Sequence, residues 1–306
     1  MGHAAFPQEK EHKWEQVDES RWEKPDVWGN TWARTELYSK GEVVRGVIDD
    51  WAMLDSYKIP DFLPAALYRD AKARFELPEN GKKFKLGMLP GFIFSLARKL
   101  RKMELYLADL IAARENVDRL HEMLKTQLFA AIENFAAVGA QGIFFCEDWG
   151  TQRALLISPA MWREIFKPYF VDMCRLAHGH NMKVLMHSCG YNIEIIPDLV
   201  EAGVDVLQFD QPQLYGIDRL AEFHGQVTFW CPVDIQKTLQ SRDAARIERD
   251  AKEMIEKLGA GGGFIAGYYY GDEAIGLEPK WQDIACRAFV KHGQPDFDLS
   301  KVPAVV

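Results

Sequence analysis

No stretch of this chain reaches the roughly 18 consecutive apolar residues that a membrane-spanning helix requires, so no anchor is expected. Cysteine is scarce: five residues, at 146, 174, 189, 231 and 286, odd in number and irregular in spacing. With no signal-peptide pattern at the start, that count argues against a disulfide framework and for a reducing cytoplasm. Positive charge is also in deficit, with 37 Lys and Arg against 45 Asp and Glu and a formal net charge of -8. A surface that tracks phosphates needs a basic excess, so nucleic acid is not an expected partner. The short run Arg98, Lys99, Arg101, Lys102 falls in a helical pattern and reads as a solvated helix face. Phosphate-cradling loops are missing too: no G-x-G-x-x-G follows the first strand and no G-x-x-x-x-G-K-[ST] occurs. The glycines 259, 261, 262 and 263 precede a strand and read as a turn. No internal repeat or low-complexity segment stands out.

What is present is a 306-residue chain, 48% hydrophobic and 12% aromatic, with nine Trp. That is ample for a large core, and the aromatics suit a deep pocket for a flat ligand. Residues 1–30 are polar and charged and read as a loosely ordered lead-in. The segment 27–51 alternates apolar and polar residues around a Lys-Gly turn at 40–41, the pattern of a β-hairpin or small sheet. Beyond Gly81 short apolar runs alternate with amphipathic segments. The runs are Phe84–Leu89, Gly142–Cys146, Lys183–Met186, Val204–Phe209, Val227–Trp230 and Gly263–Ala266. Helical patterns lie between them: two over 101–138, one opening at Ser158-Pro159, then 193–201, 218–223 and 242–258. Strands alternating with helices mean βαβ units and a parallel sheet. Six strands are legible; a closed barrel has eight, so two are expected within 31–80 or after 270, with a doubly wound open sheet as the alternative. Residues 31–306 are taken as one barrel domain.

In both architectures ligands bind at the carboxyl ends of the strands. Those ends carry Cys146-Glu147-Asp148-Trp149 with Gln152, His187-Ser188-Cys189-Gly190, Asp210-Gln211-Pro212, Cys231-Pro232-Val233-Asp234 and Tyr268-Tyr269-Tyr270. In an extended strand end residues i and i+2 point the same way, which places His187 and Cys189 side by side. Imidazole and thiolate are common zinc ligands, and Asp210 and Cys231 at neighbouring strand ends extend the candidate set. Each residue has a competing structural reading. His187 and Cys189 could be core residues, Asp148 a loop cap, and Asp210 a turn residue before proline. Cys146 reads as core, and Cys174 and Cys286 as helix-packing residues.

The segments EDWGTQRALLISPAMWREIFKPY, HSCGYNIEIIPDLVEAGVDVLQFDQPQ, VDIQKTL and GGGFIAG, in that order, resemble the uroporphyrinogen decarboxylase superfamily over about residues 28–292. The resemblance implies a (β/α)8 TIM-type barrel, here with a shortened N-terminal part. The superfamily holds porphyrinogen decarboxylases and zinc-dependent methyltransferases that move methyl groups between corrinoid proteins and thiols. The methyltransferases carry an H-x-C pair at a strand end, which His187 and Cys189 match. Asp210 corresponds to a Glu ligand of the similar methionine synthases. A further Cys of the methyltransferases is replaced here by Tyr268–Tyr270, and Cys231 is the nearest substitute. The arginine-rich motif that binds porphyrinogen propionates is absent.

The resemblance therefore implies a zinc-dependent methyltransferase with metal ligands His187, Cys189, Asp210 and Cys231. Asp148, Glu147 and Tyr269 are the expected catalytic groups, and Gln152, Trp149 and Tyr268 the substrate-binding ones. The substrate is a small molecule, with a corrinoid on a partner protein. The short N-terminus leaves room for that protein, or for a second copy of the chain, to cover the pocket. The alternative is a cofactor-free decarboxylase of a non-porphyrinogen or tetrapyrrole substrate, with Asp148 stabilising a cationic intermediate.

Overall fold

Hydrophobic periodicity sets the elements. The helix Arg114–Ala137 buries Val117, Leu120, His121, Leu124, Leu128, Ala131, Ile132 and Phe135, the spacing of one helical face. The computed structural model describes residues 2–4, 12–36 and 39–294, and its chain forms two compact units. The first holds residues up to Glu147 together with 160–184; the second holds 148–159 and everything from Leu185 onward.

In the first unit, β1 (Gly2–Ala4) precedes an antiparallel sheet of β2 (Glu15–Asp18), β3 (Arg21–Pro25), β4 (Thr31–Arg34) and β5 (Glu42–Arg45). Strand β6 (Lys85–Met88) pairs in parallel with β1 on one side and with β7 (Gly142–Cys146) on the other. Two expectations change here. Residues 15–25, read as lead-in, form strands, because Trp22 and Lys24 pair with Arg34 and Trp32 across β3 and β4. One of the two missing parallel strands is β1, in a polar segment too short to show a period, and not within 31–80 or after 270. Of residues 1–30, positions 1 and 5–11 lie outside the described residues.

The core of this unit is aromatic. Phe92 meets Phe145 at 5.3 Å and Phe170 at 5.0 Å between ring centroids, and Trp162 and Phe166 are also buried. The helix expected to open at Ser158-Pro159 is two helices, Pro159–Ile165 and Lys167–Gly179. Pro168 lacks an N–H and sits in the first turn of the second, where none is needed. The basic run 98–102 is not a solvated face. Arg101 is buried, binds Asp109 at 2.8 Å and donates to the Ile48 carbonyl at 3.0 Å. Lys99 lies half-buried with its ammonium over the Trp32 ring.

In the second unit the strands run in parallel in chain order. Strand β8 (Lys183–His187) pairs with β9 (Val206–Gln208), which pairs with β10 (Thr228–Cys231), which pairs with β11 (Phe264–Ala266). The long helices Ala244–Leu258 and Pro279–Gly293 pack on each other. Asp243 caps the first of these, accepting from the Ala245 and Arg246 amides at 2.9 and 3.2 Å. The six strands read from the apolar runs all form, within two residues of their expected ends. Among the described residues no helix is long and apolar enough to cross a membrane.

Candidate metal centre

The end of β8 carries His187, and the next two residues turn Cys189 onto the same side. His187 Nε2 stands 3.3 Å from the Cys189 sulfur and 3.6 Å from Asp148 Oδ1. One ligand atom from each of the three lies within 4.8 Å of the others. Ligands about 2.0–2.3 Å from a tetrahedral zinc stand roughly 3.3–3.7 Å apart, so these spacings match an ion between them. Imidazole, thiol and carboxylate are also a donor set that zinc accepts, and three protein ligands leave a fourth position for substrate. The residues present therefore fit the metal.

Asp148 reaches this position because two loops lock together. Its Oδ1 accepts the Cys189 amide at 2.8 Å. The Tyr191 amide donates to the Thr151 carbonyl at 2.7 Å, and the Trp149 amide to Ser188 Oγ at 3.3 Å. Asn192 Nδ2 donates to the same Ser188 hydroxyl at 2.7 Å, and the Tyr215 hydroxyl donates to the Gly190 carbonyl at 2.5 Å. The close approach needs glycine on both sides. Gly190 has φ +77, and Gly150 leaves no room for a side chain beneath the Gly190–Tyr191 backbone.

The imidazole is oriented from behind by Gln208 on β9. Gln208 Nε2 donates to Asp210 Oδ1 at 2.8 Å. Its Oε1 must then accept, and its partner is His187 Nδ1. The proton of neutral His187 is thereby fixed on Nδ1, and the Nε2 lone pair faces Cys189 and Asp148. Gln208 was not among the expected site residues. Its signal was its position at the end of a strand, two residues before Asp210, a spacing that lets the two side chains meet.

One comparison decides the family. The uroporphyrinogen decarboxylase (URO-D) family model matches residues 41–270. The chain belongs to the URO-D family. Among solved structures, a methyltransferase from Methanosarcina mazei is similar at a TM-score of 0.63 and 15% identity, over 83% of this chain and 72% of that one. A D-psicose 3-epimerase crystallised with D-fructose aligns at a TM-score of 0.45 and 9% identity, over 79% and 87% of the two chains. No curated protein matches. Together with the parallel strand order, the family and the methyltransferase neighbour give this URO-D chain a TIM-type barrel fold.

The other expected site residues of this URO-D chain fall in several places. Asp210 and Cys231 are outside the three-residue cluster among the described residues. Asp210 is half-buried and accepts from Gln208; Cys231 is wholly buried, and burial pushes its thiol pKa far up. Tyr269 is half-buried. Its phenol pKa is raised by burial, then by the carboxylate of Asp210 and the Cys189 thiol. The Tyr268 hydroxyl donates to Asp272 at 3.2 Å, whereas Tyr270 is 91% exposed. Trp149 is completely buried, and Gln152 is exposed with its amide on Gln211 at 3.2 Å. Cys146, read as core, is exposed, because β7 ends there and its last side chain leaves the sheet.

Glu147 belongs to the first unit and is committed elsewhere. Its two carboxylate oxygens accept the Phe94 and Ser95 amides, each at 2.8 Å, at the start of the helix Ile93–Leu100. Burial pushes its pKa up to about 7, against the pull of the Ser95 and Phe94 amides and Arg98. A carboxyl raised in the folded state stabilises the fold below its unfolded pKa, and that contribution is lost as pH rises through the folded value. The expected result is a stability that falls by about 3 kcal/mol between roughly pH 4.5 and pH 7 from this group. Glu147→Gln, which mimics the protonated acid, flattens that slope. Urea unfolding at pH 5, 6, 7 and 8 checks both.

Proposed function

We propose that this chain is a zinc-dependent methyltransferase. It moves a methyl group between a small methylated donor or a corrinoid protein and a thiol or corrinoid acceptor. The observation that carries this reading is the convergence of His187 Nε2, Cys189 Sγ and an Asp148 oxygen within 4.8 Å, with Gln208 directing the Nε2 lone pair to that point. The methyltransferase neighbour supports the same reading at the level of the superfamily. When bound by His187, Cys189 and Asp148, zinc supplies a Lewis acid that favours a deprotonated thiol near neutral pH.

The chain's own residues do the rest. Asp148 is held by the Cys189 amide and keeps one oxygen directed at the cluster. Tyr269 is a phenol and therefore protonated through neutral pH, so it serves as a hydrogen-bond donor that orients a substrate and not as a base. The locked loops 148–152 and 188–191 hold the ligands before a metal arrives, which lowers the ordering cost of binding.

The test uses methylcobalamin as donor and 2-mercaptoethanol as acceptor, followed by the loss of the cobalt–methyl absorbance. The zinc-loaded protein is expected to turn over, phenanthroline to stop it, and added zinc to restore it. Gln208→Leu removes the acceptor behind His187 and should weaken zinc about 10- to 100-fold. Methyl transfer absent from the zinc-loaded protein, or unchanged by phenanthroline and by added zinc, would contradict this reading.

A further inference from the structure

The first unit contains a cavity of about 510 Å³ that has no part in the metal centre. Its walls come from β3, β4 and the turn between them, from residues 12, 14, 39 and 40 that flank the sheet strands, and from Pro90, Leu96 and Lys99. Three indoles line it, those of Trp14, Trp28 and Trp32. Its charge runs against that of the chain: among the described residues that line it, Lys24, Arg34, Lys40 and Lys99 stand with one carboxylate, Asp26, in a protein whose net charge is -8.

That carboxylate is already spent on the fold. Asp26 accepts from the Trp28 and Asn30 amides at 2.9 Å each, from Asn30 Nδ2 at 3.0 Å and from Trp32 Nε1 at 2.7 Å. It holds the turn between β3 and β4 and fixes the plane of Trp32. Three of the cations lie over indole rings. Lys24 Nζ lies 5.0 Å and Arg34 Cζ 4.4 Å from the Trp14 ring centre, and Lys99 Nζ lies 5.5 Å from that of Trp32. No hydrogen bond or ion pair to a described residue takes up the Lys99 ammonium. Burial depresses its pKa, with the neighbouring charge of Arg98 adding to the effect. The charges of Glu147 and Asp26 oppose that shift without a hydrogen bond or ion pair to the ammonium, so a half-buried cation beside rigid aromatic walls gains from an anion in direct contact.

We propose that this cavity binds a small planar anion, its ring lying among the three indoles and its acid group on the Lys99 ammonium. An aromatic carboxylate is the simplest such ligand: flat enough to stack on indole, and charged at one edge. The volume falls within the ordinary range of small-molecule sites. The inference does not depend on zinc or on methyl transfer.

Benzoate titrated into the full-length protein, followed by indole fluorescence and calorimetry, tests it. Saturable binding at one site is expected, with benzyl alcohol and inorganic phosphate both at least about tenfold weaker, since each lacks one half of the recognition. Lys99→Met should weaken benzoate about tenfold or more while the zinc content stays at the wild-type level. Lys24→Met, on a strand already part-exposed, should cost a smaller factor and serves if Lys99→Met fails to fold. Benzoate binding no tighter than benzyl alcohol would overturn the proposal. So would phosphate binding as tightly as benzoate, or natively melting variants that bind as wild type.

Discussion

Cys189→Ala is expected to abolish zinc binding at micromolar metal and to reduce methyl transfer by more than about 100-fold, while the melting temperature hardly moves. Cys189 is solvent-accessible, and its sulfur touches His187 without filling any core space, so its truncation should cost no more than about 0.5 kcal/mol of stability. The Cys189 amide, which holds Asp148, is a backbone group and survives the substitution. What disappears is one of three ligands. Loss of an outer partner of a metal ligand already costs about 10- to 100-fold, and loss of the ligand itself costs more. Elemental analysis, turnover and a thermal melt on the same preparation separate the three effects. A variant with full zinc and full turnover would remove the thiol from the site.

Gly190→Ala is expected to be the most damaging single-methyl addition near the site. Its Cβ would lie 2.0 Å from the Gly150 carbonyl oxygen and 2.3 Å from the Gly150 carbonyl carbon, both backbone atoms that no rotamer change can move aside. The residue also sits at φ +77, where a side chain adds about 1–2 kcal/mol of strain. Together with the overpacking cost, the loss should be about 2–5 kcal/mol, read as a lower urea midpoint. The same change at Gly262 meets nothing within 4 Å despite φ +106, so it should cost only the backbone strain. Since Gly190 follows Cys189 and adjoins the loop that carries Asp148, Gly190→Ala should also lower zinc affinity in whatever fraction still folds.

Much of this was legible in the chain itself, for definable reasons. The six apolar runs became strands because buried parallel strands carry unbroken apolar segments that need no partner to be recognised. His187 and Cys189 were legible because spacing of two at a strand end fixes their common direction. The third member of the cluster was not. Asp210 and Cys231 had the right chemistry at neighbouring strand ends, but Asp148 reaches the pair through a loop held by backbone hydrogen bonds, and spacing along the chain carries no trace of that. Glu147 next to Asp148 looked like part of the same chemistry. Its side chain instead completes the start of the helix 93–100, a contact more than fifty residues away in sequence. Likewise the basic run 98–102 shows a polar pattern, yet Arg101 is buried by Asp109 and by carbonyls near residue 48, partners visible only once the chain has folded. The strand β1 has three residues, too few for any period to show.

The measurement that bears most directly on the account is the zinc stoichiometry of the purified full-length protein by elemental analysis, made alongside a His187→Ala variant. About one zinc per chain is expected, lost from the variant while its fold is retained. Zinc absent from both, after loading and removal of excess metal, would contradict that expectation.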